Sequence, residues 1–184
     1  MKFYLKISSI LVAAAFLSTL PVEAQTFRQT KKGITGTTQG MDIEIQFVSP
    51  EIVRVVKAPE GRSFTKKSLS VVKSPESMSV TTEKKGETVS LKSNAVRVDF
   101  NVETGRISFF DKQWKALFTE KDYGAQFTPF NDAGNQTFSV RQAFLLDKDE
   151  AIYGLGQQQV DDLNQRNHKH FMRQRALYAS VPII

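Results

Sequence analysis

The chain has no cysteine and only two histidines in 184 residues. Without cysteine there is no disulfide, no thiolate zinc site, no cysteine nucleophile and no lipidated cysteine at a processing point, so stability must come from a packed core. Charge is equally sparing. Lys and Arg number 25 against 19 Asp and Glu, and they are scattered between carboxylates without a basic stripe. That pattern predicts a solvated surface and no nucleic-acid partner. Long apolar runs are absent except at the start, where Lys2 and Lys6 precede an apolar stretch from Ile7 to Leu20 and Val22-Glu23-Ala24 offers a small-residue cleavage site. This is the layout of a secretory signal peptide over residues 1–24. The stretch is shorter than the ~20 residues needed to span a bilayer, so no membrane anchor is expected after cleavage. Loss of the leader removes two basic and one acidic side chain and leaves a net charge of +5. The expected product is exported to a periplasm or the exterior, and the signal reads as bacterial.

Helical periodicity is missing between residues 41 and 156. Met41-Asp-Ile43-Glu-Ile45-Gln-Phe47 alternates apolar and polar residues, which predicts a strand with one face in the core. Ser49-Pro50-Glu51 breaks it, and Ile52-Val53-Arg54-Val55-Val56 returns at hairpin spacing before Pro59-Glu60-Gly61. Further strands are expected at Leu69-Ser-Val71-Val72, Met78-Ser-Val80, Thr88–Leu91 and Val96–Phe100. A turn at Thr104-Gly105 leads into Ile107–Phe110, and Asp111-Lys112-Gln113 turns the chain again into Trp114–Phe118, giving a three-stranded meander. Residues 122–136, with Gly124, Pro129, Asn131, Asp132, Gly134 and Asn135, read as a polar loop before a strand over 137–146. Nine or ten short strands with turn signals between them predict an all-β, two-sheet antiparallel β-sandwich. Residues 25–40 form an N-terminal extension and 41–184 the sandwich in this reading.

Chemistry-bearing patterns are few. His168 and His170 share one face of an extended segment, but no third ligand accompanies them, so no metal is expected. Asp161 and Asp162 are adjacent and diverge, unlike the converging carboxylates of glycoside hydrolysis. Gly154-Leu155-Gly156 lacks the third glycine and following helix of a dinucleotide fingerprint, and tight backbone turning explains it better. Planar polar side chains that can form paired hydrogen bonds cluster at Gln157, Gln158, Asn164, Arg166 and His168, with Phe171 as an aromatic face. Two alternatives are structural: Arg166 pairing only with Asp161 or Asp162, and the glutamines only tying down the loop.

The segment Glu150-Ala-Ile-Tyr153-Gly154-Leu155-Gly156-Gln157-Gln158-Gln159, followed by Leu163–His168 and Phe171–Gln174, resembles the N-domain signature of family 31 glycoside hydrolases. Ile43–Val55 and Val96–Phe109 agree with it. The resemblance implies a galactose mutarotase-like sandwich belonging to a retaining α-glycosidase, commonly an α-glucosidase or α-xylosidase, that needs no metal or organic cofactor. It also implies that the aspartate nucleophile and the acid/base lie on a downstream (β/α)₈ barrel. Such a barrel takes about 250 residues. No alternating strand and helix units follow here, so no catalytic residue is expected in this chain, and its end is expected to fall inside a strand. By resemblance the 157–174 loop borders the outer side of the sugar pocket, which makes an α-linked oligosaccharide the expected partner of the complete enzyme. The competing reading is a stand-alone carbohydrate-binding or adhesion module.

Overall fold

The computed structural model describes residues 27–63, 71–75, 78–157, 162–173 and 179–181. Twelve strands and no helix occur among them: β1 (Phe27–Thr30), β2 (Gly33–Thr38), β3 (Met41–Ser49), β4 (Ile52–Pro59), β5 (Thr81–Lys85), β6 (Thr88–Lys92), β7 (Val96–Asn101), β8 (Ile107–Asp111), β9 (Ala116–Asp132), β10 (Asn135–Leu145), β11 (Gly156–Gln157) and β12 (Ala179–Ser180). Each strand pairs antiparallel with its sequence neighbour, giving a four-stranded sheet β1-β2-β3-β4, a six-stranded sheet β10-β9-β8-β7-β6-β5 and a small β11-β12 pair. The two larger sheets face each other as a sandwich, as the strand pattern predicts.

The period-two alternation of β3 explains the packing. Met41, Ile43, Ile45 and Phe47 are buried, while Asp42, Glu44 and Gln46 are not. Opposite them, Val89 and Leu91 of β6, Val98 and Phe100 of β7, and Ile107 of β8 form the other half of one core. Their registers align the apolar faces: Val89 lies across from Phe100, Leu91 from Val98, and Ile107 from Phe100. Polar ties join the sheets at their rims. The Ser93 hydroxyl donates to the Pro50 carbonyl at 2.6 Å, and Thr38 Oγ1 and Gln39 Nε2 both donate to the Glu103 carbonyl.

Four sequence expectations need correction. Residues 122–136 are not a loop: 125–132 pair with 135–142 in a long hairpin closed by Ala133 and Gly134, both at positive φ. A two-residue turn of that hand matches strand twist, and Asn131 Oδ1 secures it by accepting from the Gly134 amide at 2.7 Å. The turn-forming residues therefore mark one tight reversal inside a hairpin. Pro129 is tolerated because this half of β9 pairs only with β10, so the side where its N–H would be missing faces no strand. Second, the expected strand at Leu69–Val72 is not seen where described, and Val72 is 95% exposed; Met78–Val80 also carries no strand. Leu69 and Ser70 lie outside the described residues. Third, Trp114 does not open the following strand; it stands in the β8–β9 turn at φ 65°. Finally, β1 and β2 place most of the supposed N-terminal extension inside the first sheet, because Ile34 is buried across from Ile45.

Candidate functional site

The segment from Glu150 to Arg173 is assembled by its own backbone. Gly154, Leu155 and Gly156 run consecutively at φ 109°, 64° and 83°, so the glycine pair serves backbone turning, as the missing fingerprint elements predict. Gly156 also meets β12 closely: a Cβ there would stand 2.0 Å from the Ala179 carbonyl oxygen. The turn thus brings Gln157 opposite Ala179 at the start of the loop, where it is exposed.

Asn164 and Arg166 fasten the returning chain. Asn164 Oδ1 accepts from the amides of Ile152 at 3.0 Å and Arg166 at 3.1 Å. The Arg166 guanidinium donates through Nη1 to the carbonyls of Asp147 at 2.8 Å and Glu150 at 2.5 Å. Its partners are backbone carbonyls upstream of the loop, a role the charge pattern did not reveal. Gln165, which no sequence motif singled out, is the buried anchor; its amide donates to the Ile152 carbonyl at 2.7 Å and its side chain to the Asp162 carbonyl. Alternation of polar residues gives no signal for which of three neighbours turns inward.

What remains open toward solvent is His168, exposed beside Asp162 with Nε2 at 3.6 Å from Oδ2, and Phe171 at 83% exposure. The rings of His168 and His170 stack at 6.1 Å between centroids. No group of three or more His, Asp or Glu stands close enough to hold a metal among the described residues. Gln158 and Asp161 lie outside the described residues. The structure therefore brings Asn164 and Arg166 together as braces and leaves Gln157 and His168 free to reach outward. Asn164→Ala is expected to cost about 1 kcal/mol, the net worth of a lost hydrogen bond. Hydrogen exchange checks it, with the Ile152 and Arg166 amides losing protection while the β6–β7 amides keep theirs.

A second polar cluster escaped the sequence reading, which left Lys57 with the solvated surface charges. Lys57 of β4 and Glu120 of β9 are each 5% exposed and paired at 2.6 Å between the sheets. Lys57 Nζ also donates to the carbonyls of Gly105 at 2.9 Å and Tyr123 at 3.2 Å, so all three ammonium protons are used. Glu120 Oε2 accepts the Ile107 amide at 2.9 Å, and Oε1 accepts Gln142 Nε2 at 2.9 Å. Phe109, Phe118 and Phe144 wall a cleft of about 310 Å³ above this pair. With its three protons spent, Lys57 has no donor left for a ligand, and the pair pins one sheet to the other.

Comparison with known proteins agrees with this architecture. Residues 42–183 match the glycosyl hydrolase 31 N-terminal galactose mutarotase-like domain. The chain is 30% identical over 118 residues to an α-xylosidase of Saccharolobus solfataricus, covering 64% of this chain and 16% of that protein. It superposes on the family 31 α-xylosidase of Xanthomonas citri with a TM-score of 0.76 and 30% identity, covering 84% of this chain and 17% of that one. A family 31 α-xylosidase from a soil metagenome, solved with xylose, shares the fold at a TM-score of 0.70 and 23% identity, over 85% of this chain and 26% of its own. The chain spans between about a sixth and a quarter of these relatives' length. With its two-sheet sandwich and its tyrosine-glycine turn, the chain belongs to the glycosyl hydrolase 31 N-terminal galactose mutarotase-like domains.

Proposed function

We propose that this chain is the non-catalytic N-terminal domain of an exported retaining α-glycosidase acting on α-xylosides or α-glucosides, and that its 157–174 loop flanks the sugar pocket. The observation that carries the reading is the braced loop. Asn164 and Arg166 spend their polar groups on backbone, which fixes the path of the chain, while Gln157, His168 and Phe171 stay exposed. A preorganised polar and aromatic edge of this kind suits sugar hydroxyls and the C–H face of a pyranose. Two α-xylosidases among the similar proteins favour xylosides over glucosides. The leader over residues 1–24 supports export, and the match to about a sixth to a quarter of the similar α-xylosidases' length supports chemistry supplied by another domain.

The test uses the chain alone and in company. By itself it leaves chromogenic α-xyloside and α-glucoside unhydrolysed; turnover above buffer would show that it carries its own catalytic groups. Substituted for the corresponding domain of the Xanthomonas citri α-xylosidase, it supports xyloside hydrolysis, and His168→Ala in that hybrid raises KM with little change in kcat. A kcat loss without a KM change would remove His168 from substrate binding.

A further inference from the structure

Strand β7 sets Arg97 directly across from Lys92 on β6 and from Phe110 on β8. These three lie on the face opposite the buried Leu91 and Val98, so they form a row across the outer surface of the six-stranded sheet. Trp114 joins the row from the β8–β9 turn. Its backbone sits at φ 65°, a conformation that costs a bulky L-residue about 1 to 2 kcal/mol. Asp111 enforces it: Oδ1 accepts from the amides of Gln113 at 2.8 Å and Lys115 at 2.9 Å, and the Trp114 amide donates to the Asp111 carbonyl at 3.0 Å.

The outcome is a presented indole. Arg97 Cζ lies 5.0 Å and Lys92 Nζ 5.6 Å from the Trp114 ring centroid, and Arg97 is itself 4.1 Å from the Phe110 centroid. Two cations from one sheet surface thus hold the ring from beneath, and Trp114 remains 47% exposed. Strain of this kind is held where a side chain must be aimed. The cations are already paired, Arg97 with Asp99 at 3.0 Å and Lys92 with Glu83 at 3.3 Å. Cations already paired with carboxylates recruit a phosphate or another carboxylate poorly, which argues against an anionic ligand; a half-exposed indole beside the Asp99 and Glu83 ion pairs suits a neutral pyranose.

We propose that Trp114, backed by Arg97 and Lys92, is a surface platform that stacks the ring of a neutral oligosaccharide, separate from the 157–174 loop. The proposal rests on the reading of the parent as a glycan-acting enzyme. Trp114 is the only tryptophan in the chain, so its emission reports the site directly. Titration with neutral xylo- and gluco-oligosaccharides is expected to shift that emission saturably. By calorimetry Trp114→Ala weakens binding at least about tenfold, Trp114→Tyr recovers part of it, and Val140→Ala, at an exposed position of β10, leaves it within about twofold. The turn is exposed, and a melting curve confirms that each variant is folded. Three results would overturn the proposal: no saturable change in emission with any neutral oligosaccharide, binding undiminished in folded Trp114→Ala, or stronger binding of a uronate oligomer than of its neutral counterpart. Binding is read from this chain without hydrolysis, so turnover by the chain alone would sink the domain assignment while leaving this measurement to stand or fall separately.

Discussion

Glu120→Ala is expected to lower the stability of the domain by about 3 to 5 kcal/mol, the cost of leaving one buried charge without its partner. The variant strands the Lys57 ammonium between the sheets and removes the acceptor for the Ile107 amide and for Gln142. Replacing both members, Lys57→Met with Glu120→Leu, should restore part of the loss, because the apolar pair needs no desolvation while the Ile107 amide stays without its acceptor. Urea unfolding of the two variants checks this through the midpoint at unchanged slope. A Glu120→Ala midpoint equal to that of the parent would mean that water reaches the pair. The local backbone is built around the carboxylate. A Cβ on Gly124, which sits at φ 75°, would fall 2.3 Å from the Glu120 carboxyl group, so glycine at 124 makes the room that glutamate needs.

Burial holds the Lys57 ammonium below its ordinary 10.5, against the upward pull of the Glu120 hydrogen bond and charge. Between the lowered pKa and 10.5 the unfolded chain therefore carries more of this proton than the folded one. Stability from this group rises with pH across that window and is flat below it.

Phe47→Ala is the second large effect, about 3 to 5 kcal/mol from lost transfer energy and the cavity left behind. Phe47 is fully buried at the end of β3, across from Val53. It has no room to be replaced by solvent or by a neighbour's rotamer, since both sheets close over it. Thermal melting followed by circular dichroism measures the loss, and Phe47→Leu, which keeps part of the volume, should lose less. A Phe47→Ala variant melting within a degree or two of the parent would place the ring outside the core.

Much of the first sheet was legible before any coordinates. The alternation over Met41–Phe47 and the break at Ser49-Pro50-Glu51 foretell β3, β4 and the buried face between them, because a period-two pattern has one strand solution once one side must leave water. Thr104-Gly105 is legible for a similar reason. Asn101 Oδ1 accepts from the Glu103 and Thr104 amides, a local turn that needs no tertiary help. Residues 122–136 were misread because clustered Asn, Asp, Gly and Pro identify turn chemistry without saying whether it spans a loop or a single reversal. Strand pairing decides that, and pairing is non-local.

The 157–174 loop divides along the same line. Its residue types raise an expectation of polar recognition that remains a proposal, whereas the glycines at 154 and 156 announced a turn that the backbone makes. Which of Asn164, Gln165 and Arg166 would brace the loop and which would face outward depends on where Asp147, Glu150 and Ile152 place their backbone groups, and no local pattern encodes that. The inward turn of Lys57 is the clearest case. It follows Val53 and Val55 on the core-facing side of β4, but nothing local offers it a partner, and only the approach of β9, more than sixty residues away, supplies the carboxylate that lets it be buried. Composition and periodicity determined the class of fold and the β3–β4 half of its first sheet, since burial of an apolar face is a property of one strand. The Lys57–Glu120 pair and the Trp114 platform were decided by tertiary structure, since each needs partners from separate strands held at fixed distance.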